Sequence, residues 1–138
     1  MCIKKLYQVV LCSALMCLLG SCTYGHEVDL SLRHGKLFLT FDGGKPTSVA
    51  SLIVRELSAK SHMVWELKSV DYNGRELKEL GYGEVPSGMT QRAAAEPLRI
   101  GQLYRVELDA VSGMGHEEFV ISPEPTNGQT NQATILRE

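Results

Sequence analysis

The chain has 138 residues, which is room for one domain and not comfortably for two. Its 14 basic and 16 acidic residues give a formal net charge of −2 at pH 7, and no basic run is longer than Lys4-Lys5. Neutralising nucleic-acid phosphates or an anionic membrane surface takes a cluster of Lys and Arg. The composition therefore argues against nucleic-acid binding and against adsorption to lipid by charge alone.

The beginning of the chain divides into three regions. Met1–Gln8 is positively charged, Val9–Leu19 is almost continuously apolar, and Leu19-Gly20-Ser21-Cys22 follows with two small residues before a cysteine. The apolar run is too short to span a bilayer, which needs ~20 residues, but it has the length of a signal-peptide h-region. The last four residues resemble the lipobox of bacterial lipoproteins.

This resemblance implies that Cys22 carries diacylglycerol on its thiol, that residues 1–21 are a cleaved signal peptide, and that the new amino terminus receives an acyl chain such as palmitate. The alternative is an ordinary secretory signal cut near Ser21 or Gly25, in which Cys22 is incidental. Thr23 resembles the residue that directs lipoproteins of double-membraned bacteria to the outer membrane. That likeness implies a site on the outer membrane, facing the periplasm.

Cleavage before Cys22 would leave 117 residues with 12 bases against 16 acids, a formal charge of −4. Three of the four cysteines lie in the removed segment, so Cys22 would be the only one left. A lone thiol excludes an internal disulfide and a zinc site built on paired cysteines, whereas lipidation needs no partner. Residues 22–25 form the anchor and a tether that reaches roughly 10 Å when extended, which places the next domain against a membrane.

Apolar and polar residues alternate with period two through most of residues 26–122, which is typical of half-buried β-strands. Turn signals such as His34-Gly35 and Asn73-Gly74 separate the alternating runs. The predicted strands, in chain order, cover Val28–Leu32, Leu37–Phe41, Val49–Leu57, Met63–Leu67, a short run near Leu77–Tyr82, Tyr104–Ala110 and Phe119–Ile121. Gln91–Glu96 has room for one helical turn at most. About seven short strands predict an all-β fold, a single two-sheet sandwich.

The segment Leu98–Leu108 carries a more specific pattern. Leu98 precedes Tyr104 by six residues, and apolar residues follow Tyr104 at every second position. The segment resembles the entry to the penultimate strand of fibronectin type III domains, with Ile100 where proline is usual. The resemblance implies an immunoglobulin-like sandwich in which Tyr104 forms a tyrosine corner and Trp65 is the large core aromatic.

The Trp65 strand, the loop Tyr82-Gly83-Glu84-Val85-Pro86-Ser87-Gly88 and the Tyr104 strand together resemble small lipoproteins of proteobacterial type. That likeness implies no particular activity. After the sandwich, residues 123–138 are dominated by Pro, Thr, Asn, Gln and Gly, with few apolar residues. Such a composition cannot bury enough surface to offset the entropy of ordering, and it predicts a disordered tail.

No set of residues stands at the spacing of a known catalytic or metal site. The four histidines, His26, His34, His62 and His116, are far apart along the chain and are expected as exposed residues at strand ends and turns. There is no nucleophile elbow and no phosphate-binding glycine loop. The sequence therefore predicts no catalytic residue, no metal and no cofactor other than the covalent lipid on Cys22.

The Gly81–Met89 loop is the candidate recognition surface. Tyr82, Glu84, Pro86 and Met89 offer an aromatic ring, a charge and apolar contacts on a glycine-rich backbone. The alternative is a structural connection between the sheets, with Tyr82 and Val85 inside the core.

These patterns favour a membrane-anchored, non-enzymatic binding or scaffolding module of the bacterial cell envelope, held by its lipid and docking an envelope protein. The alternative comes from a different class: a small-ligand-binding or hydrolytic envelope protein whose site forms only in the fold.

Overall fold

The computed structural model describes residues 25–122 of the chain. The predicted signal peptide (1–21), the predicted lipidation site Cys22 and the predicted tail (123–138) lie outside the described residues. Those residues contain nine strands and one short 3-10 turn at Asp42–Gly44. The strands are β1 (Val28–Arg33), β2 (Lys36–Phe41), β3 (Thr47–Glu56), β4 (His62–Ser69), β5 (Arg75–Leu77), β6 (Glu79–Gly81), β7 (Met89–Ala93), β8 (Leu103–Ala110) and β9 (Gly113–Val120).

The strands form two antiparallel sheets that enclose one core. The first sheet has the order β1-β2-β6, and the second has the order β7-β4-β3-β8-β9, with β5 paired to the beginning of β3. The long strand β3 lies at the centre of the second sheet, between β4 and β8. This arrangement confirms the predicted all-β, two-sheet sandwich.

The chain changes sheets between β5 and β6, where the sequence predicted one continuous short strand. β5 pairs with Thr47–Val49 of β3, whereas β6 pairs with Phe38–Thr40 of β2. Between them, the carbonyl of Lys78 accepts a hydrogen bond from the Phe41 N–H at 3.0 Å. A single crossover residue is therefore enough to move the chain from one layer of the sandwich to the other.

The strand β7 was not predicted from the sequence. Residues 91–93, expected to belong to a helical turn if to any regular element, instead pair with β4 in antiparallel register. Only Met89 of this strand is buried, so its pattern carries almost no alternation. This strand is therefore held by backbone pairing with β4, and its sequence carries no alternation that would predict it.

The core contains the inward-facing residues of both sheets. Three consecutive apolar residues, Leu52-Ile53-Val54, do not show by themselves which side chains face the core. In the sheet, Leu52 and Val54 are buried and Ile53 lies on the outer face. Val64 and Trp65 are both buried although adjacent, because the β3–β4 register shifts beside Val54. The largest fully buried side chains are Trp65, Tyr104, Phe41, Phe119, Leu39, Leu52, Leu67 and Leu108.

Tyr104 is buried at the end of the core where β8 begins. Its hydroxyl accepts a hydrogen bond from the Arg99 N–H at 2.8 Å, and its ring stacks on Phe119 with centroids 5.4 Å apart. A tyrosine hydroxyl bound to a backbone group a few residues upstream is the geometry of a tyrosine corner. The corner fixes the loop that leads into β8.

We expect Tyr104→Phe to lower the free energy of unfolding by about 1–2 kcal/mol, because the Arg99 N–H loses its acceptor while the ring packing is kept. Urea denaturation followed by tryptophan fluorescence measures this change. Tyr72→Phe, at a fully exposed tyrosine, is the matched control and should leave stability unchanged. Equal stability of the two variants would contradict a role for the corner hydroxyl.

Candidate functional site

The structure divides the predicted recognition loop into an inner and an outer part. Tyr82 is half-buried: its ring meets Trp65 edge-on, with centroids 5.0 Å apart, and its hydroxyl donates to the Glu96 carbonyl at 2.6 Å. Burial raises the pKa of Tyr82, so the phenol stays protonated and remains a donor. Met89 is only 7% exposed and belongs to the core. Met89 is therefore unavailable to a partner, and Tyr82 serves mainly to join the two sheets.

The outer part of the loop is held by its own contacts. The Glu84 carboxylate forms an ion pair with Lys36 and accepts from the Gly81 N–H at 3.3 Å. The hydrogen bond from Lys36 lowers the pKa of Glu84. The Pro86 carbonyl accepts from the Met89 N–H at 3.1 Å. Val85 is exposed and not tucked into the core, so neither alternative for this loop holds for all of its residues.

The most connected polar cluster of the described residues joins His26, Asp42 and Ser112. His26 Nδ1 lies 2.7 Å from Asp42 Oδ2, and His26 Nε2 lies 2.9 Å from Ser112 Oγ. Each residue comes from a different connection: His26 precedes β1, Asp42 follows β2, and Ser112 stands in the turn between β8 and β9. The cluster ties three separate segments together at one end of the sandwich.

Asp42 is the centre of this cluster. Besides His26, its carboxylate accepts from the Glu27 N–H at 2.9 Å and from the Thr47 hydroxyl at 2.8 Å. Burial on its own raises the pKa of Asp42, but the hydrogen bonds from His26, Thr47 and Glu27 outweigh it and hold the pKa below its usual value. Asp42 has a φ of 46°, a left-handed conformation that Asp tolerates better than most residues.

The hydrogen-bond partners of His26 determine which nitrogen of its ring donates and which accepts. Because the Asp42 carboxylate only accepts, His26 Nδ1 carries a proton. In the neutral ring Nε2 is then an acceptor, and it faces the Ser112 hydroxyl. A hydroxyl, an imidazole and a carboxylate in this order form the hydrogen-bond chain of a serine nucleophile with its base.

The histidines differ from the sequence-based expectation. The side chain of His26 is only 12% exposed, whereas all four were expected to be exposed. His62 bonds to Glu96 at 2.9 Å, and His34 and His116 are exposed. Within residues 25–122, no group of three or more His, Cys, Asp or Glu side chains is arranged to hold a metal ion.

A second distinctive surface lies on the outer face of the β3–β8 ladder. Arg55 and Arg105 stand directly opposite each other, and Arg105 faces Glu118 of β9 on its other side. Like charges directly opposite each other destabilise a sheet. Arg55 has a long contact to Glu107, with Nε 3.4 Å from the carboxylate. The Nε of Arg105 is shielded from solvent and has no hydrogen-bond partner among the described residues. Partly buried apolar side chains at Ile53, Met63 and Leu103 border the two arginines.

Comparison of the chain with models of known protein families, with curated proteins and with solved structures gives no match. In the part of the chain that the structure describes, no helix is long and apolar enough to cross a membrane.

We expect the hydrogen bonds of Asp42 to make the stability of the folded protein fall at acid pH. A carboxylate whose pKa is lowered by folding adds stability that is fully present above its unfolded pKa, near ~4, and is lost as pH falls through the folded pKa. Asp42→Asn should cost about 1–3 kcal/mol at pH 7, by weakening charged hydrogen bonds. Below about pH 4, the variant should also lose less stability with falling pH than the wild-type protein does.

Thermal melts between neutral and acid pH test this expectation. Asp109→Asn, at an exposed carboxylate on the outer face of β8, is the matched control and should keep the wild-type profile. If the melting temperature of Asp42→Asn fell with acid pH as steeply as that of the wild-type protein, the cluster would not control acid stability.

Proposed function

We propose that the protein is a lipid-anchored β-sandwich of the bacterial cell envelope that binds an envelope protein and performs no chemistry. The lipobox resemblance at Leu19–Cys22 supports the anchor, and Thr23 supports an outer-membrane site facing the periplasm. The short tether after Cys22 favours a partner at or near the bilayer.

The paired arginines on the outer face of the β3–β8 ladder carry the proposal of a binding module. Arg55 faces Arg105, and Arg105 Nε has no hydrogen-bond partner among the described residues. Two guanidinium groups that stand opposite each other repel, and an acidic group from a partner would offset that repulsion. Arginine and methionine are enriched at the centres of protein interfaces, and Met63 stands beside this pair. The partner surface would therefore be acidic, with an apolar border.

Photo-crosslinking in cells tests this proposal. A benzoylphenylalanine at Met63 should give one discrete adduct with an envelope protein, and a second substitution, Arg105→Glu, should reduce its yield by about tenfold or more. The same crosslinker at Thr40, on the outer face of β2, is the matched control and should give no such adduct. Adducts of equal yield at both positions, or a Met63 adduct insensitive to Arg105→Glu, would contradict the proposal.

The Ser112–His26–Asp42 cluster favours a second candidate function, ester hydrolysis. Ser112 Oγ would attack the ester carbonyl carbon while its proton passes to His26 Nε2. His26 would then protonate the departing alcohol, and water would release the acyl group from Ser112 by the reverse transfer. Asp42 would hold the imidazole in the required tautomer through the 2.7 Å contact with Nδ1.

A fluorophosphonate probe and a chromogenic short-chain ester distinguish this candidate from the first. Hydrolysis requires labelling and ester turnover that both disappear in Ser112→Ala and persist in Ser87→Ala, an exposed serine of the Gly81–Met89 loop. The binding module predicts no labelling at Ser112 and no turnover above the uncatalysed rate.

A further inference from the structure

Large apolar side chains that remain exposed are concentrated in two turns of the sandwich. Val70 and Tyr72 lie between β4 and β5, with 74% and 102% of their surface exposed, and Val111 and Met114 lie at the β8–β9 turn, with 56% and 69% exposed. Among the described residues only Val85 and Ile100 are comparable elsewhere. Monomeric domains rarely leave such groups clustered unless the surface meets a partner or a membrane.

The two turns border the same part of β3. The Val111 N–H donates to the Ser48 carbonyl at 2.9 Å. The other turn ends at Gly74, where a Cβ atom would lie 2.9 Å from the Val49 carbonyl oxygen and 3.1 Å from the Ser48 carbonyl carbon. Gly74 also has a φ of 72°, so this turn can approach β3 so closely only with glycine at that position. Both turns therefore lie beside the beginning of β3, at the same end of that strand.

The described chain begins at this same end. Gly25 forms a parallel bridge with Met114, and the His26 N–H donates to the Met114 carbonyl at 3.0 Å. The His26 carbonyl oxygen packs so tightly on Gly115 that a Cβ atom there would lie 2.3 Å away. Together with the bonds of His26 to Asp42 and Ser112, these contacts fix the place where the chain enters the sandwich.

We propose that this end, formed by Val70, Tyr72, Val111 and Met114, rests on the lipid bilayer. The proposal rests on the proposed lipidation of Cys22, which stands three residues before Gly25 and is therefore within roughly 10 Å of it. An anchor so close to the turns makes their contact with lipid effectively intramolecular, so even a weak apolar contact becomes persistent. Tyrosine is enriched where proteins meet the headgroup region, which suits the fully exposed Tyr72.

The charges around this end place it at the headgroup level. A surface groove of about 500 Å³ beside the β4–β5 turn includes Lys68 and Arg92 next to Val70 and Tyr72, with Asp71 on the same wall. The two bases come from β4 and β7, the strands next to this turn. Asp71 offsets part of their charge, so apolar contact and not net charge is the attraction, and neutral lipid should suffice.

Fluorescence quenching on vesicles tests which end faces the bilayer. Because the mature protein begins at Cys22 and acylation blocks that thiol, a cysteine introduced into the lipidated mature protein is its only free thiol. The variants Tyr72→Cys and Met114→Cys carry an environment-sensitive fluorophore at the proposed surface. Ile100→Cys is the matched control, exposed at the opposite end of the sandwich, where Gly101 N–H bonds the Ile121 carbonyl.

In phosphatidylcholine vesicles with a shallow nitroxide-labelled lipid, the fluorescence at positions 72 and 114 should fall by about half or more, since interfacial side chains sit within ~5–10 Å of the headgroup boundary. The fluorescence at position 100 should not change. Equal quenching at all three positions, or none in protein that floats with the vesicles, would overturn the proposal while leaving the lipid anchor intact.

Protein that fails to float with vesicles would contradict lipidation of Cys22 and this orientation together. The labels could instead be shielded from water in whole envelopes and fully exposed to water in vesicles that hold no other protein. That result would assign the surface to a contact with another protein and overturn the lipid proposal.

Discussion

Trp65→Ala should destabilise the sandwich by about 3–5 kcal/mol, which is the upper range for a single core substitution. The indole is fully buried in β4, and it supports both sheets. Its ring meets Tyr82, which follows the last strand of the three-stranded sheet, and Val54 lies opposite it in β3. Removing it would leave a cavity that neither β-sheet can close without losing register.

Urea denaturation followed by far-UV circular dichroism measures this loss, since the variant has no tryptophan for fluorescence. Tyr72→Ala removes another aromatic ring, but one that is fully exposed, and should change the stability by less than about 0.5 kcal/mol. A Trp65→Ala variant as stable as Tyr72→Ala would mean that Trp65 is not a core residue.

The proposed lipidation of Cys22 predicts that Cys22→Ala releases the protein from the membrane or leaves its precursor uncleaved. Two or more acyl chains on one residue give stable anchoring at ~0.8 kcal/mol per buried CH₂ group, whereas a single chain gives only marginal binding. Without the thiol there is no site for diacylglycerol, so the whole of this anchoring is lost. Fractionation of cells and the mobility of the precursor on a gel measure both outcomes.

Cys17→Ala, in the apolar part of the predicted signal, is the matched control and should be processed and anchored normally. A Cys22→Ala protein that matures and stays in the membrane fraction would support the ordinary secretory signal in place of the lipobox.

The strands could be predicted from the sequence wherever one face of the strand is buried and the other is exposed to solvent. β1, β2 and β8 alternate clearly, and each was expected within a residue or two of its observed bounds. The bounds of β4 were expected as closely, but the register shift beside Val54 buries both Val64 and Trp65. Alternation failed at β7, whose outer residues are all polar and whose single buried residue, Met89, gives no period. The strand expected near Leu77–Tyr82 covers β6 but reaches only the last residue of β5, because three residues are too few to show a period. The change of sheet at Lys78 has no signal in the sequence.

The candidate sites could not be predicted, because they depend on pairing between distant parts of the chain. His26, Asp42 and Ser112 are separated by 16 and 70 positions, and only the meeting of three connections brings them together. Ser112 in particular stands in a two-residue turn with no motif around it. Arg55 and Arg105 likewise acquire their significance only from the β3–β8 register.

The Gly81–Met89 loop illustrates a second reason why site residues are hard to identify from a sequence. Tyr82 and Met89 were singled out for their chemistry in an irregular stretch, yet the structure uses both for packing. Aromatic and sulfur-containing side chains fill gaps between sheets as readily as they meet partners, and a sequence does not tell the two uses apart.

The most direct test of the proposed lipid anchor is the mass of the amino-terminal peptide of the protein isolated from the cells that produce it. Lipidation predicts a mature chain that begins at Cys22 and carries diacylglycerol on the thiol with an amide-linked acyl chain on the amino group. A mature chain with an unmodified Cys22, or one that begins after it, would contradict the lipid anchor and with it both the proposed envelope role and the proposed orientation on the bilayer.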